Sequence, residues 1–164
     1  MNVKGIIGVE VFGKDGKLKS RVVSHNTVVD GAKILATYCS GTDYPKYRKV
    51  RGIELYNSGG SLVDKNYVDY VCGSGDTGYH DASYTIDSYS TDSDSSSASL
   101  TIVAVFNDAS SSYTLDKIQL VTAAYNCIGG STYTYITVFA KKESLGVSVE
   151  EGDKVKVTWT ISIS

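Results

Sequence analysis

Two histidines, three cysteines and a run of aspartates are the side chains in this sequence whose types could carry chemistry. His25 and His80 stand in unlike surroundings, and neither has a second ligand two or four residues on. Hydrogen bonding or simple exposure is expected of them rather than metal ligation or general-base work. Cys39, Cys72 and Cys127 are widely spaced and fit no zinc pattern. Buried thiols are expected, with one disulfide as the alternative. Gly73-Ser74-Gly75-Asp76-Thr77-Gly78 has the glycines of a phosphate cradle but neither a Gly-Lys-Ser/Thr ending nor a following helix. Asp76, Asp81, Asp87, Asp92 and Asp94 offer oxygens of the kind Ca²⁺ takes. Asp92-Ser93-Asp94-Ser95, however, lacks the loop length and the closing Glu of a calcium hand, and solvated loop charge is the simpler reading. The expectation is a protein that is not an enzyme, with no catalytic residue, no cofactor and no metal. A hydrolase would need a nucleophile and base within reach of one another, and no such pair is identifiable.

Two other sets of residues point to recognition. Tyr79, His80, Tyr84 and Tyr89 fall in residues 73–97, a stretch of Ser, Asp, Gly and Tyr with almost no aliphatic side chain. Such a stretch has no apolar face to bury, so a long surface loop is expected there, with a ribbon near Tyr84 to Ile86. Exposed Tyr provides large contact area at low entropic cost, which makes these four a candidate surface-recognition loop; the competing reading is that they cover sheet edges. The second set follows from charge. Residues 1–51 hold ten Lys/Arg against four Asp/Glu, residues 52–127 two against ten, and the remainder four of each, within a net of −2. Lys17, Lys19 and Arg21 are therefore candidate charge contacts between subunits, the accident of loop placement being the alternative. With an acidic pI and no basic stripe interleaved with aromatics, no nucleic-acid partner is expected.

These residues need a scaffold, and the alternation near residue 164 defines it. Val155, Val157, Trp159, Ile161 and Ile163 alternate with Lys156, Thr158, Thr160 and Ser162, which predicts a half-buried core strand with Trp159 on the inner face. Val3, Ile7, Val9 and Val11 share a face of a first strand. Asp15-Gly16 then predicts a two-residue type I′ hairpin to a return strand ending at His25, with Lys17, Lys19 and Arg21 on its wet face. Asp30 as N-cap, Ile34, Leu35 and Tyr38 on one face and Gly41 as C-cap predict one short helix near residues 31–40. Ile53 and Leu55 point inward from a third strand that ends at the turn Asn57-Ser58-Gly59-Gly60. Leu62-Val63 and Tyr67 to Val71 offer a short strand or two. Leu100 to Phe106, apolar on both faces, reads as a central strand. Leu115 lies on the opposite parity from Ile118 and Leu120, which a β-bulge near Asp116 would reconcile. A Gly-Gly turn follows between Asn126 and Ser131, then a strand over Thr132 to Ala140, and Val147 and Val149 precede the closing strand. Residues 1–164 thus read as one all-β domain, an antiparallel β-sandwich of jelly-roll or Ig-like kind. No signal peptide and no membrane insertion are expected, since the longest apolar run, Ile102 to Phe106, is far too short to span.

The order of motifs resembles that of small β-rich structural proteins of tailed phages and archaeal viruses. The elements that carry the resemblance are Asn26-Thr27-Val28-Val29 with Gly31 to Ala36; Ile53-Glu54-Leu55-Tyr56-Asn57-Ser58-Gly59-Gly60; Leu100 to Phe106; Thr114 to Leu120; and Gly152-Asp153 followed by Lys154 to Ile161. The resemblance implies a virion component: a capsid decoration, turret, fibre or tail subunit made in the host cytoplasm. Its partners would be its own copies and other virion proteins, with a host surface glycan or protein as a further one in attachment. The alternative is a glycan- or cell-surface-binding module, lectin-like or adhesin-like, that grips through residues 73–97.

Overall fold

The computed structural model describes residues 3–28, 48–72, 79–84, 88–93, 98–128 and 131–163. In chain order the strands are β1 (Val3–Phe12), β2 (Leu18–His25), β3 (Thr27–Val28), β4 (Arg48–Asn57), β5 (Leu62–Cys72), β6 (Tyr79–Tyr84), β7 (Ser88–Ser93), β8 (Ala98–Val105), β9 (Tyr113–Ile128), β10 (Ser131–Lys142), β11 (Val147–Val149) and β12 (Lys154–Ile163). They form two antiparallel sheets. One has the order β2-β1-β12-β8-β7; the other has the order β3-β10-β9-β4-β5-β6, with β11 also paired to β9. The described residues contain no helix, and the helix expected near residues 31–40 lies outside them.

The closing strand is the middle of the five-stranded sheet. Trp159 stands in register between Ile7 of β1 and Ile102 of β8, and all three are fully buried. Val155, Val157 and Ile161 share that face and are also buried, while Ile163 pairs in register with Val3 and Ala98. Ile53, Leu55, Leu115, Ile118, Leu120 and Ala140 of the other sheet join the same core cluster, so the two sheets are packed in a sandwich-like arrangement around one apolar layer. β8, expected to be central, is instead one place in from an edge. Its second face is only half-buried, and it is β12 that holds the middle.

The irregularities follow from identifiable residues. Tyr56 faces Lys117 and Asn57 faces Leu115, which leaves Asp116 as the extra residue of a bulge; Leu115 and Ile118 therefore both reach the core. The bulge is fixed by a bond from the Leu145 N–H to the Asp116 carbonyl at 3.0 Å. At the first hairpin the chain departs from the two-residue turn. Gly13 and Lys17 close a longer loop in which Gly16 alone has positive φ (76°), and Lys19 becomes the bulged residue between Leu18 and Ser20. One αL glycine after a turn costs less than forcing Asp15 into that region as well. At the next turn the Asn57 carboxamide accepts from the Gly59 and Ser61 N–H groups, both at 3.0 Å.

β5 is a single strand of eleven residues rather than two short ones. Asn66, polar where alternation calls for an apolar residue, is buried and donates to the Val105 carbonyl of the opposite sheet at 2.8 Å. Residues 73–97, expected to be a long surface loop with a ribbon near Tyr84 to Ile86, contain β6 and β7. Among the described residues each borders its sheet and pairs with one neighbour, β6 with β5 and β7 with β8, through backbone bonds.

Candidate functional site

The features that could act on a partner lie at the two sides of the sandwich. On one side the chain passes from β2, bordering the five-stranded sheet, to β3, bordering the other; on the opposite side it passes from β6 to β7 in the same manner. The crossing on the first side is pinned by Asn26. Its Oδ1 accepts from the Trp159 Nε1 at 3.0 Å, and its backbone N–H donates to the Gly5 carbonyl at 3.2 Å. A Cβ on Gly5 would overlap that carboxamide, so only glycine admits it. Two of the motifs singled out in the sequence, Asn26-Thr27-Val28 and the strand with Trp159, are thus one hydrogen-bonded unit.

The candidate charge contacts are not equivalent. Lys17 is at the hairpin loop beside Asp15, 3.6 Å away, with both side chains exposed. Lys19 is committed within the chain: its Nζ bonds Glu150 at 2.5 Å and Asp153 at 2.7 Å, joining the first hairpin to the turn that launches β12. Arg21 is exposed on β2, and Glu10, opposite it on β1, is turned to Lys156 at 3.8 Å.

Asp153 is almost fully buried. Its carboxylate also accepts from the Glu150 N–H at 2.9 Å. Burial alone would raise its pKa, but the hydrogen bonds from Lys19 and from the Glu150 backbone, with the charges of Lys19 and Lys14, hold it below the ordinary carboxylate value. Lys19 is raised in turn, chiefly by its bonds to Asp153 and Glu150. A carboxyl depressed on folding contributes stability that is present above its unfolded pKa of 3.8 and is lost as pH falls through the lower folded value. Thermal melts between pH 7 and 2 should therefore show Asp153→Asn less stable than wild type at neutral pH, with the gap closing below pH 3.8. A gap that is constant down to pH 2 would refute the role of this carboxylate.

The four candidate recognition residues divide between the two strands of the second side: Tyr79, His80 and Tyr84 on β6, Tyr89 on β7. His25, on β2, is in the other sheet from His80, so the two histidines are not brought together. Cys72 lies opposite Tyr79 and Cys127 opposite Thr132, while Cys39 is outside the described residues. Asp81 and Asp92 are on strands of different sheets; Asp76, Asp87 and Asp94 are outside the described residues. Among the described residues no three His, Cys, Asp or Glu side chains gather as a metal site, and no helix is long and apolar enough to cross a membrane.

No protein-family model, characterised protein or solved structure matches the chain. What it does has to be read from its own residues.

One polar cluster was not anticipated. Glu54, buried and on the opposite face of β4 from Ile53 and Leu55, accepts from the Tyr56 hydroxyl at 2.6 Å and from the Tyr67 hydroxyl. Lys117 lies 4.1 Å over the Tyr56 ring and Lys65 lies 5.0 Å over Tyr67. Burial, then Glu54, push the Tyr56 hydroxyl up to about 12. With the Tyr56 hydroxyl of its own strand and the Tyr67 hydroxyl of the neighbouring one on its two oxygens, the Glu54 carboxylate ties β4 to β5. The signal was present in the alternation of Glu54 and Tyr56 with Ile53 and Leu55, but the partner Tyr67 comes from a strand the pattern had not resolved.

Proposed function

We propose that this protein is a virion structural subunit, a capsid decoration, turret, fibre or tail component, that works by symmetric contacts with its own copies and performs no chemistry. The observation that carries the reading is the bordering of the five-stranded sheet. Among the described residues neither β2 nor β7 has a strand on its outer side, and a strand with one row of N–H and C=O groups unpaired is a template for another chain. The exposure of Val23 on β2, at 60%, adds apolar surface at that border. The resemblance of the motif order to that of phage and archaeal-virus structural proteins supports the particle as the setting, and a jelly-roll or Ig-like sandwich is the fold that goes with it. Gold-labelled antibodies against the chain should bind intact virus particles from its source. Particles that stay unlabelled while the free chain is detected in the host would overturn the placement in a virion.

A second reading, attachment to a host glycan or surface protein, is favoured by the placement of Tyr79, His80 and Tyr84 on β6 and Tyr89 on β7, consecutive strands that each border a sheet. Substituting the three tyrosines by Ser should then end binding to host cells while assembly persists, and unchanged binding would remove this reading.

A further inference from the structure

We infer that two copies of this chain pack face to face, the outer side of the five-stranded sheet of one on the same side of the other, about a two-fold axis that runs along the strands between β1 and β12. The inference rests on the reading of the protein as an assembling subunit and names the surface of one contact. Glycine use points to that face. Gly5, Gly8 and Gly52 are the glycines within the described strands. A Cβ on Gly5 would overlap Asn26, and one on Gly52 would overlap the Asn66 carbonyl and Tyr67, so the chain's own packing requires both. Gly8 has no such need. It sits in unbroken register between Val23 of β2 and Thr158 of β12, and a Cβ there would meet only Thr158, at 3.9 Å, an ordinary contact. A strand glycine with no bulge, and with room for a side chain, fits a place where another surface comes close. Around it on the same outer face Val23 is 60% exposed, Ile6 is 46% exposed and Val103 is half-buried, while Glu10, Lys156 and Lys4 stand in the rows nearer the strand ends. An apolar centre within a charged rim is the anatomy of a subunit contact.

Charge makes this face complementary to itself and places the axis. Glu10 and Lys156 face outward side by side, 3.8 Å apart. An axis directly over β1 would set Glu10 on its own copy, and one over β12 would set Lys156 on its own copy, each a like-charge opposition. An axis between the two strands instead sets Glu10 of each copy over Lys156 of the other, Gly8 over Thr158 and Val23 over Val103. An axis between β1 and β2 would also match charge, Glu10 to Arg21, but it overlaps only those two strands. Two strands about 4.8 Å apart and about 30 Å long cover about 300 Å² per copy, the size of a packing contact. The axis between β1 and β12 overlaps β2, β1, β12 and β8 and covers about 600 Å² per copy, about 1,200 Å² in all, where specific interfaces begin. The contact uses the same patch on both copies, so it closes on itself as a dimer.

The test uses the full chain and measures association by sedimentation equilibrium over a concentration series, with each variant checked for wild-type far-UV dichroism and thermal unfolding. Wild type should approach twice 17.6 kDa. Gly8→Arg, whose Cβ the chain accommodates, puts a long charged side chain at the centre of the contact and should weaken association by about tenfold or more. Glu10→Lys and Lys156→Glu should each weaken it by about as much, because like charges then meet twice in every pair of copies. Mixed in equal amounts, these two variants should associate as wild type does, since one copy presents two lysines at the paired positions and the other two glutamates. If Gly8→Arg does not fold, the mixture decides alone. A folded Gly8→Arg that associates as wild type does, or a mixture no tighter than either variant by itself, overturns the face-to-face contact and leaves the assembling subunit standing. A wild-type chain that is monomeric at every concentration removes the assembling subunit, and this inference with it.

Discussion

Trp159→Ala lowers the free energy of unfolding by about 3–5 kcal/mol, the range for emptying a fully buried aromatic site. The side chain is wholly inaccessible between Ile7 and Ile102, on the strand that joins the two halves of the five-stranded sheet, so the cavity cannot be filled without moving β1 or β8. Domains of this size hold about 5–15 kcal/mol in all, so the variant should lose a large part of its stability. Trp159→Phe keeps an aromatic ring and so opens a smaller cavity, but leaves the Asn26 Oδ1 without its indole donor, the lost hydrogen bond alone costing about 1–3 kcal/mol. Urea unfolding followed by far-UV dichroism measures both, since the chain's one tryptophan is the residue removed. A loss under about 1 kcal/mol for Trp159→Ala, the size of an average substitution, would show that β12 is not the core strand.

Deleting Asp116 should be as damaging, for a different reason. The residue is not one of the buried core side chains; it is the extra residue that returns Ile118 and Leu120 to the inner face after Leu115. Without it the period of two sends either Leu115, or Ile118 and Leu120 together, to the outer face. Exposing two such side chains costs about 3–6 kcal/mol at about 1.5–3 kcal/mol each. Asp116→Gly keeps the residue count and should unfold close to wild type. If the deletion melts within a few degrees of wild type, the bulge is not what sets the register of β9 against β4.

These two sites were legible in the sequence because apolar side chains report a strand's parity directly. The alternation from Val155 onward and the parity break at Asp116 are both patterns of what is buried. Legibility failed where the residues carry no apolar period. Apart from His80 and Ala82, β6 and β7 are written in Ser, Thr, Asp and Tyr and pair through the backbone with β5 and β8, which leaves no apolar period to read. Asn66 broke the pattern of β5 because its inward Nδ2 donates to a carbonyl across the sandwich, a partner thirty-nine residues away. The basic triplet at Lys17, Lys19 and Arg21 looked uniform, yet a bulge turns Lys19 to an acidic pair more than a hundred residues on, while Arg21 opposes Glu10 across β1 and β2.

The account stands or falls on whether this chain adheres to itself. Native mass spectrometry of the purified full-length chain across a concentration series, alone and mixed with virus particles, reads that directly. The account predicts multiples of 17.6 kDa that grow with concentration, or uptake of the chain onto the particles. A lone 17.6 kDa species at every concentration, indifferent to the particles, would contradict it.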